Sequence, residues 1–171
     1  MNIFVLTGAG VSAESGLGTF RDKAGSGIWA KFDPMKLATP EAFAADPEEV
    51  HAFYNMRRRN LLQAEPNPAH FALARLEATL AEHGGHLFLC TQNIDDLHEG
   101  AGSRRVIHMH GELLKARCIW CEAGTEWRGD LGSENACPSW SSWARTACRP
   151  SAWLGCQSGG RSRRGRDGPG E

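Results

Sequence analysis

Short apolar runs and helical stripes alternate along most of the chain. Asn2 to Thr7 (NIFVLT) is a short apolar run that ends in Gly8-Ala9-Gly10. It predicts a buried parallel strand feeding a tight turn, with a helix starting at Val11. Gly16 to Gly27 carries four glycines, which interrupt a helix after a turn or two and predict a long, mobile loop. Loops of this length in compact domains are usually functional. Asp46-Pro47-Glu48-Glu49 joins an N-cap residue, a proline at the first helical position and a Glu three residues past the cap, so a helix should run from there to about Gln63. Asn67-Pro68 opens the next, with Phe71, Leu73, Leu76 and Leu80 at roughly helical spacing and a stop at Gly84-Gly85. His86 to Thr91 (HLFLCT) reads as a second buried strand and Val106 to His108 as a third. Strand, helices, strand is a Rossmann-like α/β unit with a parallel sheet.

Composition narrows the class. A chain of 171 residues with 41% apolar and 8% aromatic residues fits a single soluble domain. No apolar run reaches the roughly 18 residues that would span a bilayer, and the N-terminus lacks the pattern of a signal peptide. The expected location is cytoplasmic, where six irregularly spaced cysteines stay reduced and the close pair Cys118 and Cys121 points to metal. A net charge of −1 argues against a nucleic-acid partner. That charge is unevenly divided: Met1 to Pro138 holds 13 basic and 18 acidic residues, whereas Ser139 to Glu171 holds six Arg against Asp167 and Glu171. This tail has three Trp among six Ser and six Gly, without Lys, Ile, Val, Phe, Met or Tyr. Its composition predicts disorder and little core, and its abrupt onset is what a change of reading frame would produce.

Gly8-x-Gly10-x-x-Ala13 follows the first strand at a helix start. Glycines there let the backbone approach a pyrophosphate, which the N–H groups of the helix start attract. A strand-to-helix turn without a ligand has the same pattern. A dehydrogenase would also need the helix to run straight into a second strand closing on an acidic residue about 20 positions on. Asp33 has the position, but the glycine-rich loop lies where that helix should continue.

GAGVSAESGLGTFRD (Gly8 to Asp22), TQNIDDLHEGAG (Thr91 to Gly102) and HMHGEL (His108 to Leu113) resemble, in order, three leading motifs of the sirtuins, NAD-dependent protein lysine deacylases. The likeness runs from Met1 to about Pro138. FYNMRRR (Phe53 to Arg59) resembles the subclass that removes acidic acyl groups, and Gly18 stands where many members have proline. The resemblance implies removal of succinyl, malonyl or acetyl groups from protein lysines, with release of nicotinamide and an O-acyl-ADP-ribose. It also implies roles for individual residues. His110 matches the histidine that accepts a proton from a ribose hydroxyl, work that suits an imidazole near neutrality; His108, two residues away, is not distinguished from it by local pattern. Asn93 joins His110 in the catalytic set. Gly8, Ala9, Gly10, Ser12 and Ala13 match the phosphate turn, and Gln92, Asn93, Ile94 and Asp95 the nicotinamide and ribose contacts; locally, Gln92, Asn93 and Asp95 read equally as a helix cap after a strand. Phe20 and Arg21 match a pair placed over the cofactor, and Trp29 stands with them, although locally it reads as core. Tyr54 and Arg57, three apart on a helix, match a pair that reads the distal carboxylate of the acyl group. The bland alternative is a solvated face carrying Arg57, Arg58 and Arg59.

Sirtuins also hold a structural zinc with two cysteine pairs. Cys118 and Cys121 supply the first, and Cys137 begins the second, yet Trp140 stands where its partner is expected, leaving Cys148 and Cys156, at unusual spacing in the tail, as the alternative fourth ligands. The implied organisation is a partial Rossmann-like catalytic region over residues 1–115 with its distal sheet strands missing, an inserted zinc-ribbon-like module over 116–138, and an anomalous tail over 139–171. A chain so ended is expected to be a poor or inactive enzyme. Two other classes stay open: a nicotinamide-dependent oxidoreductase and a non-catalytic nucleotide-binding fragment.

Overall fold

The computed structural model describes residues 1–18, 37–119, 121–132, 135 and 137, and the backbone of 153–155. Strands β1 (Asn2–Thr7), β2 (His86–Thr91) and β3 (Val106–His108) form a parallel sheet in that order. Asn2 stands opposite His86, Thr7 opposite Thr91, and Thr91 opposite His108, so the three strands end level with one another. All three fall where the hydrophobic pattern placed them.

Between β1 and β2 lie α1 (Ala9–Ser12), α2 (Pro40–Ala45), α3 (Pro47–Leu61) and α4 (Pro68–Glu82). The helix expected from Val11 is only the four-residue α1, continued by a 3-10 turn over Ala13–Ser15 and ended by Gly16 at φ +84°. Asp46 caps α3 by accepting from the Glu49 N–H at 2.9 Å, as its sequence implied. Asn67 and His70 cap α4 reciprocally. α4 stops where the glycine pair predicted: Gly84 has φ +70°, and a Cβ on Gly85 would collide with the Met1 carbonyl oxygen. Helix α2 carries no signal the pattern reading used, although Thr39 caps it through the Ala42 N–H at 3.1 Å.

α4 covers one face of the sheet, where Leu80, Leu87 and Leu89 are buried against Ile3, Val5, Leu73, Leu76 and Val106. At about 100° per residue Phe71 points away from Leu73, Leu76 and Leu80, and it is exposed. β1 is not the fully buried strand its apolar run implied. Successive residues alternate faces, and Phe4 and Leu6, with Phe88 and Ile107, lie 45–66% exposed on the second face. Among the described residues no element covers that face.

A second core joins α2 and α3 to α5 (Leu97–Gly100) and the segment after β3: Phe43, Val50, Phe53, Tyr54, Leu61, Leu97, Leu113 and Leu114 are buried together. Strands β4 (Lys115–Cys118), β5 (Gly124–Glu126) and β6 (Trp153–Gly155) form a small antiparallel sheet in the order β5-β4-β6, with a core of Ala116, Cys118, Leu131 and Cys137. The sequence pattern assigned no element to Trp153–Gly155, which pairs with β4 through Trp153 opposite Cys118. No helix of the described residues is long and apolar enough to cross a membrane.

Candidate active site

The carboxyl ends of β1, β2 and β3 release the chain into three turns: Gly8-Ala9-Gly10, Gln92 to Asp95, and Met109-His110. In open α/β sheets ligands sit outside this edge of the strands. Gln92 fastens the first two turns together, its N–H donating to the Thr7 carbonyl at 3.0 Å. Neither Gly8 nor Gly10 has a positive φ, and a Cβ on Gly10 would meet nothing within 4 Å. The fold itself therefore does not require glycine at position 10, and bare backbone there leaves room for a group outside the chain to approach.

Behind the turns lies a buried polar cluster centred on Ser12, itself 2% exposed. Ser12 Oγ donates to Asp95 Oδ2 at 2.9 Å and accepts from Asn93 Nδ2 at 2.9 Å. His70 Nε2 stands 3.5 Å from the same oxygen. The Asn67 N–H donates to His70 Nδ1 at 3.2 Å, which leaves the ring proton on Nε2 and directs it at Ser12. Burial lowers the His70 pKa against the pull of Asp95, in keeping with a neutral ring. His98 packs edge-on against His70 with ring centroids 4.8 Å apart, and its Nε2 lies 3.0 Å from Thr7 Oγ1. Burial, then the neighbouring His70, push its pKa down as well. Asp95 also accepts from the Leu97 N–H at 3.3 Å, but the N-cap of α5 is Asp96, whose side chain makes no capping hydrogen bond.

Asn93 is buried and held from several sides. Its N–H donates to Thr91 Oγ1 at 3.0 Å, and its carbonyl lies 3.2 Å from His108 Nδ1. Ile94 is half-buried and its carbonyl accepts from the Leu113 N–H at 2.7 Å. The two histidines of HMHGEL are now distinguished. His108 ends β3 with its side chain 6% exposed and its Nε2 2.8 Å from Glu99 Oε1, whereas His110 lies beyond the strand in a turn and is exposed. Strand alternation, which would have turned both the same way, does not reach His110. Gln92, Gly10 and Ala13 are exposed as well, and Gly8 and Ala9 are half-buried. Phe20, Arg21 and Trp29 lie outside the described residues.

On α3 the arginine run divides. Arg57 is half-buried with its guanidinium 5.7 Å from the centroid of the Phe53 ring. Arg58 is 1% exposed and donates to the Leu113 carbonyl at 3.2 Å and to Asn55 Oδ1 at 2.7 Å. Arg59 is exposed and pairs with Asp130 at 3.0 Å. Tyr54, 5% exposed, is part of the second core. A uniformly solvated basic face therefore describes only Arg59. The sequence reading missed Asn55, Arg58, His70 and His98. The one local signal was Asn67-Pro68-x-His70, a capping pair at the right spacing.

In the small sheet, Cys118 ends β4, Cys121 sits in the turn to β5, and Cys137 returns beside them. Their Sγ atoms all lie within 4.8 Å of one another, with Cys121 and Cys137 at 3.5 Å. Thiolates bound tetrahedrally to zinc at 2.3 Å stand about 3.8 Å apart, so the three sulfurs fit a zinc ion. Trp140 lies outside the described residues.

The Sir2 family profile matches residues 8–149, and the chain belongs to that family. It is 63% identical over 137 residues to an NAD-dependent protein deacylase of Caulobacter vibrioides (80% of this chain, 57% of the relative). It is 56% identical over 137 residues to one from Yersinia pseudotuberculosis (79% of this chain, 48% of the relative). Among solved structures it resembles a Sir2 homologue bound to NAD, with a TM-score of 0.72 and 40% identity over 92% of this chain and 56% of the other. The chain thus spans about half the length of the curated relatives it matches.

Proposed function

We propose that this chain carries the catalytic portion of an NAD-dependent protein lysine deacylase. The observation that supports the reading best is the convergence, at one edge of the parallel sheet, of a bare glycine turn, the buried Ser12–Asn93–Asp95 cluster and the exposed His110. NAD held here would supply an electrophilic ribose carbon with nicotinamide as its leaving group. The backbone of Gly8 to Gly10 would face its phosphates, with Ser12 and Ala13 completing the turn. Gln92, Asn93, Ile94 and Asp95 would line the nicotinamide and ribose side, where amide and carboxylate groups offer the donors and acceptors a carboxamide and hydroxyls need. His110 would accept the ribose hydroxyl proton; its exposure keeps it within reach of a ligand. Phe20, Arg21 and Trp29 are assigned to the cofactor by family likeness alone, and the zinc-binding role of Cys118, Cys121 and Cys137 is structural.

We further propose a preference for succinyl- and malonyl-lysine over acetyl-lysine in protein substrates, read by Tyr54 and Arg57. Their spacing on α3 and the fixing of Arg57 over Phe53 support this, since a planar guanidinium suits a carboxylate. The proposed setting is the cytoplasm. The oxidoreductase alternative is disfavoured because α1 ends after four residues and four helices of the described residues, not one, separate β1 from β2. The reading is tested by incubating the chain with NAD and succinyl-, malonyl- and acetyl-lysine peptides and measuring nicotinamide. Release that depends on an acyl peptide and is fastest with succinyl supports it; reduction of the cofactor instead would defeat it.

A further inference from the structure

We propose that His108 is a positioning residue for this reaction: held as an imidazolium between the Glu99 carboxylate and the Asn93 main-chain carbonyl, it fixes the turn that presents Asn93 and Asp95, and it loosens that turn when it deprotonates. The inference rests on the deacylase reading for its catalytic consequence, but its structural claim stands on the geometry alone.

His108 Nε2 lies 2.8 Å from Glu99 Oε1, and Nδ1 lies 3.2 Å from the Asn93 carbonyl oxygen. Both partners are acceptors only. A neutral imidazole has one N–H and could satisfy one of them while turning a lone pair toward the other; the imidazolium satisfies both. The groups facing the ring are Glu99 and His98 from α5, Glu112 from the segment after β3, and the Asn93 carbonyl. Burial alone would push His108 down. The hydrogen bond and charge of Glu99, the Asn93 carbonyl and Glu112 outweigh this and hold its pKa above the ordinary histidine value. Glu99 is shifted in the matching direction: burial would raise it, and the hydrogen bond from His108 brings it below its usual value.

What His108 holds is the chemistry-bearing turn. The Asn93 side chain is tied to Ser12 on α1, its N–H to Thr91 at the end of β2, and its carbonyl to His108 at the end of β3. Each bond comes from a different element, so losing the third frees the peptide plane between Asn93 and Ile94 to tilt, and leaves a carbonyl short of its partner. A displacement of about 1 Å in a reacting group can cost on the order of 100-fold in rate. Because the folded pKa is raised, the hold is complete below the ordinary histidine range and is lost as pH rises through the raised value. Activity should therefore fall on the alkaline side as His108 deprotonates.

The experiment follows the whole chain by NMR with labelled histidine and backbone nitrogen, in the parent and in Glu99→Gln. In the parent, His108 should hold protons on both ring nitrogens and lose one only above the ordinary histidine value of about 6.5, and the Ile94 amide should shift in step. A glutamine at position 99 can turn its amide to donate to Nε2, so a neutral His108 then keeps its N–H on the Asn93 carbonyl. In that variant His108 should titrate at lower pH than in the parent, and the Ile94 amide should no longer follow pH. A parent His108 that titrates no higher than in Glu99→Gln, or an Ile94 amide that ignores its titration, would overturn the proposal; neither readout needs turnover. In the deacylase assay, His108→Ala should lower kcat by about 30-fold, and Glu99→Gln should remove the alkaline fall that the parent displays. An unchanged alkaline fall in Glu99→Gln would also overturn it. Absence of nicotinamide release from the parent would refute the deacylase reading instead, with the NMR result still deciding the role of His108.

Discussion

Asn55 and Leu131 exchange two hydrogen bonds: Asn55 Nδ2 donates to the Leu131 carbonyl at 2.8 Å, and the Leu131 N–H donates to Asn55 Oδ1 at 2.8 Å. The side chain thus acts as one more residue of backbone, fastening α3 to the cysteine module. Arg58 extends the joint by bonding both Asn55 and the Leu113 carbonyl. Asn55→Ala would leave two buried main-chain groups and an arginine short of partners. A loss of about 3 kcal/mol is expected, read as a lower midpoint in thermal or denaturant unfolding.

The Ser12 hub gives a second expectation. Ser12→Ala removes the acceptor for Asn93 and the donor to Asp95 while leaving both groups buried. NAD affinity and turnover should each fall by about 10-fold or more, measured by calorimetric titration and nicotinamide release. Ser12→Thr keeps the hydroxyl and should recover part of the loss if its added methyl fits.

Much of the frame could be read from the sequence because it depends on local pattern. β2, β3 and the caps at Asp46 and Asn67 follow from apolar runs and polar residues at fixed offsets. The ends of the strands then place Gly8, Asn93 and His110 on one edge. The Ser12–His70–His98 cluster could not be read this way, because Ser12 is 58 positions from His70 and 83 from Asp95, and His98 is 91 from Thr7, so they meet only after the sheet forms. The exposure of Phe4 and Phe88 was equally hidden: an apolar run does not say how many faces of its strand are covered. Arg58 looked like its neighbours, yet the turn of the helix sends it inward.

Titration of the buried histidines sets a pH dependence of stability. His70 and His98 both have pKa values lowered from the ordinary 6.5. The unfolded chain therefore binds more protons than the folded one below about 6.5, and stability should fall as pH drops through that range toward the folded values. His108 acts oppositely: its raised pKa adds stability that is lost as pH rises. The melting temperature should decline on acidification from pH 7 to about 5.5, and His98→Gln, which cannot titrate, should flatten that slope.

Metal binding is expected at the cysteine cluster. One zinc per chain should be found by elemental analysis, Cys121→Ser should reduce its retention, and a chelator should lower the melting temperature, since metal affinity adds to folding free energy. Equal metal content in the parent and in a Cys118→Ser, Cys121→Ser double variant would exclude this site.

The most direct measurement of the central claim compares the parent with His110→Ala on a succinyl-lysine peptide, following nicotinamide and free peptide lysine together. Equal molar release of nicotinamide and deacylated peptide in the parent, reduced about 100-fold or more in the variant, is the predicted result. Equal rates in the two proteins, or cofactor consumption that proceeds without an acylated peptide, would contradict it.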